Sequence, residues 1–195
     1  MIHPDITMSV QQCARFCKDT RKEHGEAVKR ICWYLLHVHG MGLILKLDQT
    51  WGLECWVDAD WAGSWQHCSS HDPLSAHSRT GFFIMYAGCT ILRRSSMQKL
   101  VALSTTEAEY ISLSSALREV IAIINLLEEL KGQGFGIHSG TPNVKCKTFK
   151  DNKSCIETAT NHKTRPQTKH LSVRPHHFRS HIVRKIISIE HVSTT

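Results

Sequence analysis

No apolar run in this chain of 195 residues reaches the roughly 18 residues that a membrane-spanning helix requires. Val120-Ile-Ala-Ile-Ile124, for example, stops at Asn125. The opening residues, Met1-Ile-His-Pro-Asp5, lack the basic-then-apolar pattern of a secretory signal. The expectation is a chain with no membrane partner, cytoplasmic or nuclear and not secreted. A structural zinc site, which needs four ligands, is not expected either: Cys68-Ser-Ser-His71 and His37-Val-His39 are too isolated. With no sign of secretion, the eight cysteines at 13, 17, 32, 55, 68, 89, 146 and 155 read as free, mostly buried thiols rather than disulfides. The hydrophobic content of 41% excludes wholesale disorder. The length suits one compact domain with an extra segment, or one larger domain.

Charge is present and uneven. Against 17 Asp and Glu stand 24 Lys and Arg, a formal +7. Lys145 to Lys185 holds 11 Lys and Arg against only Asp151 and Glu157, so that stretch is +9 and the remainder is −2. His162, His170, His176, His177 and His181 lie in the same stretch. A basic region of this kind attracts phosphates and makes binding salt-sensitive, although a solvated helix face has the same composition.

Periodicity divides the chain near residue 50. Before it, Asp5 stands as a cap for a helix through Cys17. A second helix covers Lys22 to Val38, with Ala27, Ile31, Leu35 and Val38 on one stripe, and a strand is expected at Gly42–Leu47. After it, Leu53, Cys55 and Val57 alternate with Glu54, Trp56 and Asp58, as in a half-exposed strand. Strands follow at Thr80–Ala87 and Cys89–Arg94, joined at Gly88, and Met97–Leu103 reads as another extended segment. A long helix covers Thr105–Leu130. A strand is expected at Val144–Phe149, a short helix at Asn152–Thr160, a helix ending at Lys185, and a last strand at Ile186–Val192. The order βββ-α-β-α-α-β gives an α/β fold, a mixed sheet with helices packed on it.

Three acidic patches fall at element ends: Val57-Asp-Ala-Asp60, Thr105-Thr-Glu-Ala-Glu109 and Lys150-Asp-Asn152. Carboxylates gathered from separate elements can hold divalent ions, and two such ions about 4 Å apart can cut a phosphodiester.

These patches resemble the ribonuclease H region of Ty1/copia-type retrotransposon Pol polyproteins. Val57-Asp-Ala-Asp-Trp-Ala-Gly63 is similar to the first catalytic strand of that family, Ser78-Arg-Thr-Gly-Phe82 to its second strand, and Ala102-Leu-Ser-Thr-Thr-Glu-Ala-Glu-Tyr-Ile111 to its helix start. Asp151-Asn-Lys-Ser154 resembles the motif after the next strand, and Thr168-Lys-His170 and His177-Phe-Arg179 the later basic helix. His3-Pro-Asp-Ile6, Ala14-Arg-Phe16 and Ala27-Val-Lys-Arg-Ile31 are similar to the end of the family's reverse transcriptase. No Asp-Asp pair of a polymerase site occurs.

The resemblance implies a ribonuclease H-like mixed sheet flanked by helices over 51–195. A small, mostly helical reverse transcriptase remnant would precede it over 1–50. It implies metal-dependent hydrolysis of the RNA strand of RNA–DNA hybrids, with Mg²⁺ or Mn²⁺ as cofactor and the reverse transcriptase of the same polyprotein as partner. Asp58, Glu107 and Asp151 become the catalytic metal ligands. Each has a plainer reading. An acid here can be a solvent-facing turn residue, which suits Asp60 better than Asp58. Ser104-Thr-Thr-Glu107 is a capping-box pattern, and Asp151 can cap the helix after it. Glu109 lies about 200° around the helix from Glu107, so the two do not easily share one metal. Lys163, Arg165, Lys169, His170, Arg174 and Arg179 are the candidate contacts to the nucleic-acid backbone, which position a duplex without reading sequence.

Several positions depart from the family. It carries a fourth acid, in an Ala-Asp pair on a helix after the final strand, and His191-Val-Ser-Thr-Thr195 stops short of it. Arg93-Arg94 stands where the family has Trp-Ser, Ser172 where Asp or Asn is frequent, and Pro175 where an aromatic residue is frequent. The alternative expectation is therefore a catalytically inactive nucleic-acid-binding remnant of such an element.

Overall fold

Strand alternation builds the centre of the molecule. In β1 (Leu53–Asp60), Leu53, Cys55 and Val57 are buried, while Trp56 and Asp58 point the other way. Beside β1 on one side runs β2 (Arg79–Tyr86), antiparallel, with Val57 opposite Phe82 and Cys55 opposite Ile84. The tight turn Ala87-Gly88 leads into β3 (Cys89–Met97), antiparallel to β2. Both turn residues have positive φ, +50° and +75°, as a two-residue hairpin requires. On the other side, β4 (Cys146–Lys150) runs parallel to β1, and β5 (Ile187–His191) parallel to β4. The sheet order is β3-β2-β1-β4-β5.

This computed structural model describes residues 3–42, 44–48, 50–63, 65, 73–137, 144–160 and 176–193. The helices are α1 (Thr7–Ala14), α2 (Lys22–His37), α3 (Thr105–Gly132), α4 (Lys153–Thr160) and α5 (His176–Val183). The main core is formed where α3 lies on the sheet: Tyr110, Leu113, Ala116, Leu117, Val120 and Ile124 pack with the inward residues of β1 and β2. By length and composition α3 could also cross a membrane. Its apolar residues are used here as core, and both Glu107 and Glu109 are buried on it.

The mixed sheet flanked by helices is the ribonuclease H-like fold class expected from the sequence, and the element order βββ-α-β-α-α-β holds within the described residues. Two segments differ. Residues 44–48 form no strand. Ile44, Leu45 and Leu47 are exposed; backbone contact with the β2–β3 hairpin is made by Asp48 N–H, which donates to Ala87 O at 2.9 Å, and by Lys46 O, which accepts from the Cys89 thiol at 3.3 Å. Apolar, strand-prone residues do not make a strand without a ladder partner. Beyond Met97 the extended run to Leu103 is also irregular, because Gln98 turns inward. Its side-chain amide donates to Thr80 Oγ1 (3.2 Å) and Ala108 O (2.9 Å).

The chain forms two compact units, Met1–Leu45 and Lys46–Thr195. The sequence suggested a boundary at 50; the hairpin contacts of Lys46 and Asp48 place those residues with the second unit. In the first unit, Tyr34 Oη donates to the Asp5 carboxylate, and Val38 is the buried hydrophobic residue among those described. Trp33 and Leu36 are 64% and 70% exposed.

The described cysteines are free thiols. Burial pushes the Cys55 thiol far up and raises Cys146 and Cys155 to about 12. Native-state alkylation with iodoacetamide near pH 8 is expected to modify exposed Cys17 and Cys32 and to spare Cys55, Cys146 and Cys155 until denaturant is added, since only the thiolate reacts. Peptide mapping reads this directly, and fast native labelling of Cys155 would contradict the core packing.

Candidate metal centre

Asp58 stands near the end of β1, on the strand face that also carries Trp56. Its backbone carbonyl accepts from the buried Ser112 hydroxyl at 2.6 Å, which ties the strand end to α3. Its side chain is largely exposed, with Oδ1 accepting from Ala59 N–H at 2.8 Å. Asp60, two residues on, is the last residue of β1, opposite Arg79, and its carboxylate lies where a side chain at Gly63 would stand.

Glu109 comes to the same place from α3. It lies one turn before Leu113 and on the stripe that continues through Ala116 and Val120, so it is 7% exposed. Asp151 immediately follows β4. The cap of α4 is made by Asn152, whose Oδ1 accepts from Cys155 N–H at 2.9 Å, so Asp151 does not serve as that cap. One carboxylate oxygen from each of Asp58, Glu109 and Asp151 lies within 4.8 Å of the others.

Of the three acids expected from the sequence, the structure brings Asp58 and Asp151 together and leaves Glu107 out. Glu107 serves the start of α3: Ser104 Oγ caps its N–H at 3.2 Å, and its Oε2 accepts from Leu103 N–H, one residue before the cap, at 2.8 Å. Glu109 is the third carboxylate of the cluster. The 200° offset between the two glutamates was visible in the sequence. The deciding signal was the core stripe, which Glu109 extends and Glu107 does not.

A fourth residue was missed altogether. Lys150 is the last residue of β4 and occupies an inward position after Cys146 and Thr148. It is 1% exposed. Its ammonium lies 2.6 Å from Glu109 Oε2, 2.7 Å from Asp151 Oδ1 and 3.8 Å from Asp58 Oδ1, and it donates to Val57 O at 3.1 Å. Glu109 Oε2 receives no hydrogen bond of ordinary geometry, so its compensation is the charge beside it. Burial opposes the charge on Lys150, but Asp151 and Glu109 outweigh it and hold the ammonium above the usual lysine range. Burial also acts on Asp151, and there Lys150 prevails, keeping that carboxyl below its usual range. For Glu109 burial prevails over Lys150, aided by repulsion from Asp151 and Asp58, and its carboxyl is pushed up.

A groove of about 660 Å³ opens beside Asp58 and Asp151. Its floor is a row of rings across three strands. Trp56 stacks on Phe149 with centroids 4.3 Å apart and lies parallel to Phe83 at 6.0 Å. Arg93 and Arg94 also line it. Because β3 is an edge strand, Arg94 stays exposed and reaches the half-buried Glu119 of α3 at 3.5 Å.

Of the basic candidates, Lys163, Arg165, Lys169, His170 and Arg174 lie outside the described residues. Arg179, on α5, is half-buried and donates to Thr158 O at 3.4 Å, tying α5 to α4.

No protein-family model matches the chain. Sequence relatives do. The chain is 35% identical over 191 residues, 98% of its length, to the retrovirus-related Pol polyprotein from transposon TNT 1-94 of Nicotiana tabacum. It is 31% identical over the same share to that from transposon RE1 of Arabidopsis thaliana. The chain belongs to the Pol polyproteins of copia-like transposons. It spans 13% and 12% of the length of these two relatives. Among solved structures, a ribonuclease H1 in complex with an RNA/DNA hybrid aligns with 72% of the chain and 85% of its own, at 15% identity and a TM-score of 0.42. The copia-type assignment therefore rests on sequence, and the ribonuclease H-like sheet on the strand order of this chain itself.

The donor set matches a hard divalent cation in kind: three carboxylates from three elements, with a carbonyl nearby. One of those oxygens, Glu109 Oε2, is buried and has the Lys150 ammonium beside it at 2.6 Å, so a positive charge already stands among the carboxylates.

Proposed function

We propose that the second unit is a ribonuclease H that hydrolyses the RNA strand of RNA–DNA hybrids with Mg²⁺ or Mn²⁺, within a Pol polyprotein that also carries a reverse transcriptase. The observation that carries this reading is the convergence of Asp58, Glu109 and Asp151 from β1, α3 and the end of β4. Such residues would hold the divalent ions, which when bound supply an activated water and stabilise charge on the phosphate. The chain's own residues do the rest. Ser112 fixes the end of β1 by its bond to the Asp58 carbonyl. Asn152 caps α4 and so starts the helix directly after Asp151. The rings of Trp56, Phe83 and Phe149 line the groove beside Asp58, and Arg93 puts positive charge at its edge for a phosphate backbone. A hybrid would be told from DNA by its 2′-hydroxyls and groove shape.

The first unit supports the polyprotein reading. With Trp33 and Leu36 exposed and little buried inside, it has the surface of a piece of a larger body, for which the reverse transcriptase is our proposal.

Cleavage of a labelled RNA–DNA hybrid tests the reading. In high Mn²⁺ the chain is expected to cut the RNA strand, and Asp58→Asn to lose more than about 100-fold of that rate, beyond what outer-shell changes cost. Hybrid binding without any cleavage in the unmodified chain would reject the enzyme and leave the binding remnant.

A further inference from the structure

We propose that Lys150 is a tethered cation that occupies the carboxylate cluster and competes with the divalent ion for it, so that its presence weakens metal binding by this chain. The inference rests on reading Asp58, Glu109 and Asp151 as the metal site. Its basis is the position of one atom. The Lys150 Nζ lies 2.6 Å and 2.7 Å from oxygens of Glu109 and Asp151, and a further 3.8 Å contact reaches Asp58. The carboxylate oxygens themselves are within 4.8 Å of one another. A divalent ion bound by these oxygens would take the place among them that the Lys150 ammonium holds. There is no room in a cluster of that width for both cations, and two positive charges at such a distance repel each other strongly.

The ammonium is not a loose surface group that happens to swing in. Lys150 is at an inward position of β4, is 1% exposed, and donates to the Val57 carbonyl at 3.1 Å on the neighbouring strand. The backbone places it there, so it meets the carboxylates at a high effective concentration, whereas a metal ion comes from solution. Metal binding then requires Lys150 to leave the cluster, which means breaking its contacts with Glu109, Asp151 and Val57. The same lysine neutralises one of the three clustered negative charges and so lets the acids sit together with no metal bound. Lys150 is therefore a positioning residue that sets the affinity of the site.

The test is Mn²⁺ titration of the full chain, with free Mn²⁺ followed by electron paramagnetic resonance, comparing the unmodified chain with Lys150→Met and Lys150→Gln. Both variants are expected to bind Mn²⁺ about tenfold or more tighter, since a unit charge within bonding distance has been removed. Met keeps the length of the stem and Gln retains a donor, so the pair separates charge from packing. Unchanged or weaker binding in both, with Asp58→Asn still weakening it, overturns the role of Lys150 while leaving the metal site standing. Binding that ignores Asp58→Asn in every background overturns the metal-site reading itself. A second measurement needs no variant at Lys150. Reductive methylation of the native chain, read by peptide mapping, should spare Lys150 without metal and reach it in high Mn²⁺. Protection that persists when Mn²⁺ is bound would show that the two cations do not exclude each other.

Discussion

Glu109→Gln will abolish hybrid cleavage in high Mn²⁺, whereas Glu107→Gln will leave the rate near that of the unmodified chain and lower stability by about 1 kcal/mol. The two glutamates are two residues apart and equally buried, at 7% exposure, so burial does not separate them. Their partners do. The Glu107 carboxylate accepts from Leu103 N–H, and its own N–H is capped by Ser104. It closes the first turn of α3 and lies outside the carboxylate cluster. The Glu109 carboxylate faces Asp58, Asp151 and the Lys150 ammonium. Replacing it with the neutral amide removes a charge from the only cluster of three potential metal-ligating side chains found among the described residues. In Glu109→Gln, Lys150 keeps Asp151 at 2.7 Å and Val57 O at 3.1 Å, so the strand end is still held and the variant should fold. Circular dichroism and thermal melts beside the cleavage assay separate loss of the site from loss of the fold. The reverse pattern, with Glu107→Gln inactive and Glu109→Gln active, would return the second ligand to the position that the sequence motif suggested.

The sheet was legible in the sequence because its alternation is clean. Leu53, Cys55 and Val57 could face only a core, and the broad face through Ile111, Leu117, Ile121, Ile124 and Leu127 could only belong to a helix lying on it. Asp58 was legible for the same reason, as the outward residue at the strand's end. The remainder depended on partners that one sequence does not display. The apolar run 44–47 has strand composition, but no strand pairs with it in the described residues. At Glu107 a local pattern, the capping box, coincided with a motif match, and the motif was given more weight than the capping chemistry. At Lys150 the parity of β4 already pointed inward, yet a lysine in a basic stretch was counted as surface charge. A charged residue at a core parity is the signal to follow in such a stretch, because it stays buried only where opposite charge awaits it. The phosphate-contact candidates between Lys163 and Arg174 fall outside the described residues, while Arg179 is bound to the chain's own Thr158 carbonyl.

Phe178→Ala will be the most destabilising of the substitutions considered, by about 3–5 kcal/mol. Phe178 is the one fully buried residue that α5 gives to the main core, and its ring meets that of Tyr110 on α3 at 6.1 Å and 52°. It lies in the basic stretch between His177 and Arg179, where the neighbouring residues are exposed or half-buried, so its ring, with partly buried Ile182 one turn on, anchors the short helix to the rest of the unit. For a unit of this size each kcal/mol lowers Tm by roughly 2–4 °C, which makes the expected drop about 6–20 °C. Arg179→Ala, which removes a 3.4 Å bond to Thr158 O, should cost about 1 kcal/mol, the ordinary worth of one hydrogen bond. The carboxylates are delivered by β1, α3 and β4 and not by α5. At temperatures well below its melt, Phe178→Ala should therefore keep the Mn²⁺ affinity of the unmodified chain while losing affinity for the hybrid, if α5 presents the basic stretch to the duplex. A loss of less than about 1 kcal/mol would mean that the ring is not packed as described. Loss of Mn²⁺ affinity in the folded variant would mean that the metal centre depends on α5 after all. Carboxylate geometry and nucleic-acid grip then separate cleanly: Glu109→Gln removes the first with the fold intact, and Phe178→Ala weakens the second through the fold.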